Sequence, residues 1–443
     1  MREMKDSGIS WLGQYPANWE LIKIKYCLQD RVEKNNPIRT RQILSLTAKQ
    51  GVIPYDQKEG GGNKPKEDVS AYRLAYPGDI VMNSMNILSG SVGLSQYFGC
   101  VSPVYYMLRP RNKEEDVRYY NYIFQTTVFQ RSLFGLGNGI LIKESSNGNL
   151  NTIRMRIPMD KFGGLFIPVA PIKEQQRIAE FLDQKCSEID SLVADIQSQI
   201  ETLEQYKKSV ITEAVTKGLD PDVEMKDSGI EWIGEIPRHW EVPKTLYVLE
   251  MPITDGPHTT PQLYDEGIPF ISAEAISSGK IDFNHKRGYI SEAFYKECCL
   301  KYTPKRNDIY MVKSGATTGR VAMVETDEIF TIWSPLAVFR ANQELMIFRY
   351  LFYFVQAPCY TGQVENSWSF GTQQNIGMRV LEKLKVCMPT LEEQQRIADY
   401  LDQKCTAIDE TILAKQDQLS VLEQYKKSLI YEYVTGKKEV PHQ

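Results

Sequence analysis

Two copies of one set of motifs follow each other along this chain, and the duplication limits its fold more than any other feature. MKDSGISWLGQYPANWE at 4–20 recurs as MKDSGIEWIGEIPRHWE at 225–241, with 11 of 17 positions identical. EQQRIAEFLDQKC at 174–186 recurs as EQQRIADYLDQKC at 393–405, with 11 of 13 identical. The repeat of about 220 residues is far longer than the 20–45 residues of a solenoid unit. The sequence therefore predicts a duplicated domain with its linker, not a stacked array.

The linkers are predicted to be two long helices, 172–216 and 391–435, and the segment LEQYKKS recurs unchanged within them. No glycine or proline interrupts either range, a proline precedes each, and Gly218 and Gly436 stand where a helix C-cap belongs. At 1.5 Å per residue, each helix would be roughly 65 Å long.

Apolar residues recur along both helices at steps of three and four, the pattern of a coiled-coil seam. The predicted seam consists of Ile178, Leu182, Ile189, Val193, Ile196, Ile200, Leu203 and Val210, and of Ile397, Leu401, Ile408, Ile412, Leu419, Leu422 and Leu429. Cys186, Tyr206, Cys405 and Tyr425 fall in the same register. A seam of this length must be covered, so we expect the helices to pair antiparallel within the chain. Pairing between two chains stays open, since heptads do not identify the partner.

The remaining residues predict two modules, 1–171 and 217–390, and a short tail at 436–443. Runs of β-branched and aromatic residues alternate with polar, glycine-containing loops, which is typical of compact α/β modules. The modules share a turn with Gly-Asp or Asn-Asp that leads into an apolar strand, at 77–95 and 306–325. We therefore expect an α+β protein: two α/β modules joined by two long helices, with a pseudo-twofold internal repeat.

The net charge of −4 and a pI near 5.8 argue against a simple free-standing nucleic-acid binder. The charge is uneven: residues 1–171 have 22 basic and 15 acidic side chains, whereas residues 217–390 have 18 and 22. The first module is thus basic, as a nucleic-acid reader should be. The second module would need a partner protein or a local patch around Lys313, Arg320 and Arg379.

Loops rich in Gly, Asn, Thr and Lys offer side chains that suit base edges and phosphates. The candidate DNA-contacting residues are Lys64, Lys66, Asn83, Ser84, Asn86, Lys143 and Arg154 in the first module, and His258, Thr259, Lys313, Ser314, Thr317, Thr318, Arg320, Gln373, Gln374 and Arg379 in the second. The same composition also occurs in ordinary solvated turns. The loops alone therefore leave base contact open.

The sequence predicts no catalytic residue, cofactor or metal ligand in this chain. Its eight cysteines form no Cys-x-x-Cys and no Cys/His pair at zinc spacing. KSGATTGR at 313–320 lacks the phosphate-binding P-loop pattern, and neither a dinucleotide fingerprint nor a base-methylation loop is found. No apolar run approaches 18 residues and the N-terminus lacks a signal-peptide stretch, which predicts a cytoplasmic protein with no membrane contact.

The chain resembles the specificity subunits of type I restriction-modification enzymes over essentially its whole length. The resemblance depends on the two E-Q-Q-R-I-A-x-x-L-D-Q-K-C segments, on both copies of L-E-Q-Y-K-K-S, and on W-x-G-x-x-P-x-x-W at 11–19 and 232–240. The segment G-T-Q-Q-N-I at 371–376 also matches the family's module ending. The first module departs from that ending, with GNLNTI at 148–153.

The resemblance implies a non-catalytic subunit that selects a DNA sequence. In that family two target-recognition domains, here 1–171 and 217–390, each read half of a bipartite, asymmetric site in double-stranded DNA, and an antiparallel coiled coil sets the gap. Two modification subunits dock on the chain and supply adenine methylation that depends on S-adenosylmethionine. Restriction subunits add translocation and cleavage that use ATP and Mg. An alternative is a structural adaptor whose globular ends bind proteins, suggested by the acidic second module; a stand-alone nuclease or methyltransferase is disfavoured because its motifs are missing.

Overall fold

A computed structural model describes most of the chain. The described residues are 2–47, 50–58, 65–137, 143–144, 150–151, 156–277, 279–366 and 375–441. Their contacts divide the chain into a first unit, residues 1–196 with 417–443, and a second unit, residues 197–416. Each unit therefore contains one module and a part of each long helix. Among the described residues, no helix is both long and apolar enough to cross a membrane.

Short strands and helices build each module, and one long helix follows each. The first module contains β1 (Met4–Asp6), β2 (Gln14–Pro16), β3 (Glu20–Lys23), α1 (Ile24–Cys27), β4 (Leu28–Asp30), β5 (Leu44–Thr47), β6 (Gly51–Pro54), β7 (Arg73–Ala75), β8 (Ile80–Asn83), β9 (Val92–Leu94), β10 (Gly99–Val101), β11 (Tyr105–Pro110), α2 (Val117–Gln125), α3 (Thr127–Ser132), β12 (Lys143–Glu144), β13 (Leu150–Asn151), α4 (Met159–Gly163) and β14 (Phe166–Val169). The long helix α5 (Ile172–Lys217) follows. The second module contains β15 (Met225–Asp227), β16 (Glu235–Pro237), β17 (Thr254–Asp255), β18 (Ile268–Ile271), β19 (Ile276–Ser277), β20 (Lys280–Ile281), β21 (Gly288–Ile290), α6 (Glu292–Cys299), β22 (Ile309–Val312), β23 (Val321–Met323), β24 (Thr331–Ile332), β25 (Leu336–Phe339), α7 (Phe348–Gln356), α8 (Pro358–Asn366) and α9 (Met378–Lys383), and the long helix α10 (Leu391–Val434) follows.

Each module is built around a four-stranded antiparallel sheet. The strand order is β4-β11-β8-β9 in the first module and β17-β25-β22-β23 in the second. A residue with a left-handed backbone conformation lies two positions before the equivalent strand of each sheet: Gly78 (φ +86°) before β8 and Asn307 (φ +73°) before β22. Glycine and asparagine are the residues that tolerate this conformation. The next residue is a buried aspartate that pairs with Arg31 in the first module and with Arg340 in the second.

The long helices begin at the predicted residues, α5 ends one residue beyond its predicted end, and α10 ends one residue earlier. The seam residues that are buried are Ile178, Leu182, Ile189, Val210, Ile397, Leu401, Ile408 and Leu429, and those that are half-buried are Val193, Ile196, Ile200, Leu203, Ile412, Leu419 and Leu422. Tyr206 and Tyr425 share the register but are each 52% exposed. The apolar spacing alone does not distinguish such half-exposed positions from the buried ones.

Within each unit, the segments of α5 and α10 pack against each other in antiparallel orientation. In the first unit Lys426 Nζ lies 2.6 Å from a carboxylate oxygen of Asp190. In the second unit Lys207 Nζ lies 2.6 Å from a carboxylate oxygen of Asp409. The two lysines occupy the same position of the LEQYKKS repeat. The predicted α+β fold with intramolecular helix pairing is therefore confirmed.

The repeated motifs form the junction between each module and its helices. The hairpins β1–β2 and β15–β16 have the same register, and each is followed by a tryptophan that is only 1% exposed. Trp19 Nε1 donates to Glu174 Oε2 (2.9 Å), and Trp240 Nε1 donates to Glu393 Oε1 (3.3 Å). Because the glutamate opens the EQQRIA motif, this hydrogen bond ties the hairpin segment to the start of a long helix.

A second equivalent contact attaches α2 and α7 to the long helices. The Tyr122 hydroxyl donates to Asp183 Oδ1 (2.6 Å) in the first unit, and the Tyr353 hydroxyl donates to Asp402 Oδ1 (2.7 Å) in the second. Both aspartates belong to the repeated LDQKC sequence. The repeats thus explain how each module is attached, whereas the surfaces that differ lie elsewhere.

Candidate nucleic-acid interface

One edge of the second sheet gathers the ends of its four strands. There β17 ends at Asp255 and β22 ends at Val312, while β23 begins at Val321 and β25 begins at Leu336. The loops that join these strands lie at this edge, because in an antiparallel pair one strand ends where its neighbour begins. We call residues 255–259, 313–320 and 333–336 the second-module edge.

Most of the predicted contact residues of the second module fall on this edge. They are His258, Thr259, Lys313, Ser314, Thr317, Thr318 and Arg320. The chain returns beside them after α8, since the Ile376 amide donates to the Lys313 carbonyl (2.8 Å) and Asn375 pairs with Ser314. Arg379 follows, exposed on α9. Gln373 and Gln374 lie outside the described residues.

The turn between β22 and β23 has a defined backbone. Gly315 (φ +103°) and Gly319 (φ +91°) adopt conformations that other residues rarely tolerate. The Thr318 hydroxyl donates to the Gly315 carbonyl (2.7 Å) and closes the turn. Arg320 is exposed, whereas Thr317 is half-buried. The turn therefore presents a cation and hydroxyl groups on a fixed loop.

Two lysines and a histidine meet at a buried aspartate on the second-module edge. Asp255 is fully buried, and its Oδ2 atom lies 3.2 Å from Lys313 Nζ and 3.2 Å from His258 Nε2. Lys301 Nζ pairs with the other oxygen, Oδ1. Sequence reasoning selected His258 and Lys313 but missed Asp255 and Lys301. Asp255 could have been selected from the sequence, because it directly precedes the Gly-Pro-His segment that contains His258. Lys301 could not, because nothing in the sequence links it to Asp255, 46 positions earlier.

Another missed group at this edge is an aromatic platform. The Arg287 guanidinium carbon lies 3.9 Å from the ring centroid of Trp333, within the range of a cation–π contact. Arg287 is exposed and Trp333 is half-buried. An exposed arginine held on an indole ring offers planar hydrogen-bond donors to a ligand.

The corresponding first-module edge lies where β8 ends and β9 and β11 begin, at residues 83–92 and 105. Asn83 and Ser84 lie on it, but only 7% and 1% of their surfaces are exposed. Asn83 Oδ1 accepts from the Met85 amide (3.0 Å), and the Ser84 hydroxyl donates to the Val104 carbonyl (2.6 Å). These two side chains thus support the turn itself, while Asn86 is exposed within it.

The other first-module candidates are distributed differently. Lys66 is exposed in the loop before β7, and its amide donates to the Tyr72 hydroxyl (3.1 Å). Lys143 lies in β12, of which only the backbone is described. Lys64 and Arg154 lie outside the described residues.

A buried arginine that the sequence did not signal stabilises the first-module edge. Arg73 Nη1 donates to the Tyr105 carbonyl (2.7 Å), and Nη2 donates to Asp30 Oδ1 (2.7 Å). Burial raises the pKa of the neighbouring Tyr105 hydroxyl, and a hydrogen bond with Asn83 acts in the opposite direction. Tyr105 therefore stays neutral and can serve only as a hydrogen-bonding group near neutral pH.

The described groups suit binding by hydrogen bonds and charge. Among the residues that the structure describes, no group of three or more His, Cys, Asp and Glu side chains could hold a metal ion. Burial raises the pKa of the Cys359 thiol to about 12 and that of the Cys405 thiol to about 11. Both thiols therefore remain protonated near neutral pH, in the less nucleophilic form.

Comparisons with known proteins agree on one family. A family model described as type I restriction modification DNA specificity domain matches residues 255–419. The type I restriction enzyme MjaVIII specificity subunit of Methanocaldococcus jannaschii is 24% identical over 434 residues, covering 95% of this chain and 93% of that protein. The type I restriction enzyme EcoBI specificity subunit of Escherichia coli is 25% identical over 246 residues, covering 54% of this chain and 51% of that protein.

The fold also has a counterpart among solved structures. A chain from a structural study of complex assembly and conformational transition of the type I R-M system superposes with a TM-score of 0.67 at 14% identity. The match covers 96% of this chain and 99% of that chain. At this identity the likeness concerns the fold, and it extends over both modules and both long helices.

Proposed function

The chain belongs to the type I restriction-modification DNA specificity subunits, and on that premise we propose that its two modules read the two halves of one bipartite, asymmetric DNA site. The main supporting observation is the pair of four-stranded sheets, which have the same strand order but present different side chains at the same edge. Equivalent backbones with different hydrogen-bonding groups suit two different base sequences. The proposed target-recognition domains are residues 1–171 and 217–390.

In the second module, the proposed contacts divide into two chemical classes. Lys313, Arg320 and Arg379 suit phosphates, and the threonine side chains at 259, 317 and 318 suit base edges. Gln373 and Gln374 remain proposed base contacts, because the segment after them pairs with the turn. The acidic balance of this module makes the local cations the main source of phosphate affinity.

In the first module, the exposed candidates are Asn86 and Lys66. Lys64, Lys143 and Arg154 remain proposed contacts, whereas Asn83 and Ser84 are better explained as supports of the turn. The surplus of basic side chains in this module would attract DNA before any base is read.

The long helices are proposed to set the gap between the half-sites and to dock two modification subunits. Large apolar side chains remain exposed on them: Leu192 (51%), Leu413 (59%) and Val421 (64%). A contiguous exposed apolar patch often marks a protein-binding surface, and docking on the helices would depend on side chains such as these. Under this proposal S-adenosylmethionine, ATP and Mg are used by the modification and restriction subunits, and this cytoplasmic chain supplies the choice of sequence.

Methylation mapping in cells that carry the partner genes tests the proposal. We expect a split methylated motif that disappears when this chain is deleted. Exchange of residues 21–171 for the module of another family member should change one half of the motif, and the matched exchange of 242–390 should change the other half. No split motif, or a change in both halves after either exchange, would contradict the proposal.

A further inference from the structure

The charge cluster around the buried Asp255 is unbalanced, because two lysines and a histidine share one carboxylate. Lys301 Nζ pairs with Asp255 Oδ1 and also donates to the Gly256 carbonyl (3.3 Å), so this ammonium group has protein partners. The other carboxylate oxygen is shared by Lys313 and His258, each at 3.2 Å. Asp255 Oδ2 accepts no well-oriented hydrogen bond within the described part of the chain.

Lys313 is therefore an unusual buried cation. Only 10% of its side chain is exposed, and among the residues that the structure describes its ammonium group has one ion pair, with Asp255 Oδ2 at 3.2 Å. One carboxylate cannot neutralise two lysines, so the cluster has at least one excess positive charge. An ammonium group has three donors, and burial without acceptors is costly. An anion with several acceptor oxygens would supply the acceptors that this ammonium group lacks.

We propose that Lys313 and His258 bind one phosphate of the DNA backbone at the second-module edge, and that Lys301 is a positioning residue that neutralises Asp255 and leaves Lys313 free for the phosphate. This inference rests on the proposed function and adds the ligand of one site within it. The cluster would fix the register of this module on the duplex and contribute affinity without sequence preference.

The salt dependence of DNA binding by the complete complex with its modification subunits tests the site. Each phosphate contact contributes about 0.9 to the slope of log K against log salt concentration. Lys313→Gln should make the slope shallower by about 0.9 and weaken target and unrelated DNA by the same factor. Lys305→Gln is the matched control, because Lys305 precedes the same strand β22 at its opposite end; it should leave the slope unchanged.

Two further variants separate the roles of the lysines. Lys313→Arg keeps the charge and should retain the wild-type slope, which also covers the case in which Lys313→Gln fails to assemble. Lys301→Gln should weaken binding, and Lys313→Gln should then cost less in its background than in the wild type. Additive losses would overturn the positioning role. An unchanged slope for Lys313→Gln, or a loss confined to target DNA, would overturn the phosphate site. A wild-type complex that does not distinguish a split target from unrelated DNA would instead contradict the proposed function.

Discussion

A buried glutamine at the start of α10 gives the sharpest test of how a module is attached to its helix. Gln394 is fully buried, and its side-chain amide donates to the Leu345 carbonyl (3.0 Å) and the Pro389 carbonyl (2.9 Å). Its side-chain oxygen accepts from the Ile347 amide (2.8 Å). One side chain thus joins the first turn of the helix to the segment that precedes α7.

Gln394→Ala leaves these three backbone groups without their partner. A buried polar group that loses its partner costs about 1–3 kcal/mol, so we expect the free energy of unfolding of the second unit to fall by about 3 kcal/mol. The adjacent Gln395 provides a matched control, because it is only half-buried and its side-chain amide donates to a side chain of the same helix, Asp399 (2.9 Å). Gln395→Ala should change the free energy of unfolding by less than about 0.5 kcal/mol. In the first unit, Gln175 makes two equivalent bonds, so we expect Gln175→Ala to cost about 2 kcal/mol.

Urea unfolding combined with hydrogen exchange measures both parts of this prediction. The midpoint of unfolding reports the loss of stability, and exchange at the Ile347 amide reports the lost hydrogen bond directly. We expect the Ile347 amide to exchange faster in Gln394→Ala and at the wild-type rate in Gln395→Ala. Equal effects of the two substitutions, or an Ile347 amide that remains protected in Gln394→Ala, would refute the reasoning.

Two further predictions concern the helix ends and the thiols. Gly436 (φ +71°) and Gly218 (φ +76°) share the left-handed conformation, but an added Cβ would lie 2.3 Å from Pro16 Cγ at Gly436 and 3.2 Å from Trp240 Cζ2 at Gly218. Gly436→Ala should therefore cost about 3 kcal/mol and Gly218→Ala about 1 kcal/mol in urea unfolding, and equal losses would count against this steric argument. A thiol reagent at pH 8 should label the half-buried Cys299 before Cys359, whose raised pKa keeps it protonated. The pKa of the Cys359 thiol is 9.0 in the unfolded chain and about 12 in the folded protein, so between these values only the unfolded chain ionises it. The free energy of unfolding should therefore not depend on this thiol below pH 9, and it should fall as the pH rises from 9 to about 12. Rapid labelling of Cys359 in the folded protein would contradict its burial.

The helices could be predicted from the sequence because their signals are local. Uninterrupted apolar spacing, a proline before each start and a glycine after each end lie within the segments themselves, and the helix ends differ from prediction by at most one residue. Burial along the seam could not be predicted in the same way. Tyr206 and Tyr425 have the right spacing, but their exposure depends on how far the partner helix covers them.

The edges were harder to predict because they form through non-local strand pairing. His258 and the turn that begins at Lys313 are 55 positions apart, and only the register of β17, β25 and β22 brings their segments to one edge. Loop composition selected both, but it could not distinguish Ser84, which is bonded inward, from Asn86, which is exposed. Asp255 and Lys301 could not be predicted as a pair, because only the folded sheet brings these two distant residues into contact.

The division between repeated and divergent residues follows from what each set contacts. Three contacts made by the repeated motifs recur in both units: a tryptophan with a glutamate, a tyrosine with an aspartate of LDQKC, and a lysine of LEQYKKS with an aspartate of the other long helix. The groups at the two module edges take no part in these junctions. Substitutions at an edge can therefore alter what a module binds without changing how it is attached, and two modules held by the same junction can diverge toward different DNA half-sites. This independence requires the buried polar contacts of the junction to stay intact, which is why a change as small as one glutamine to alanine should disturb a unit more than several changes among the exposed side chains of its edge.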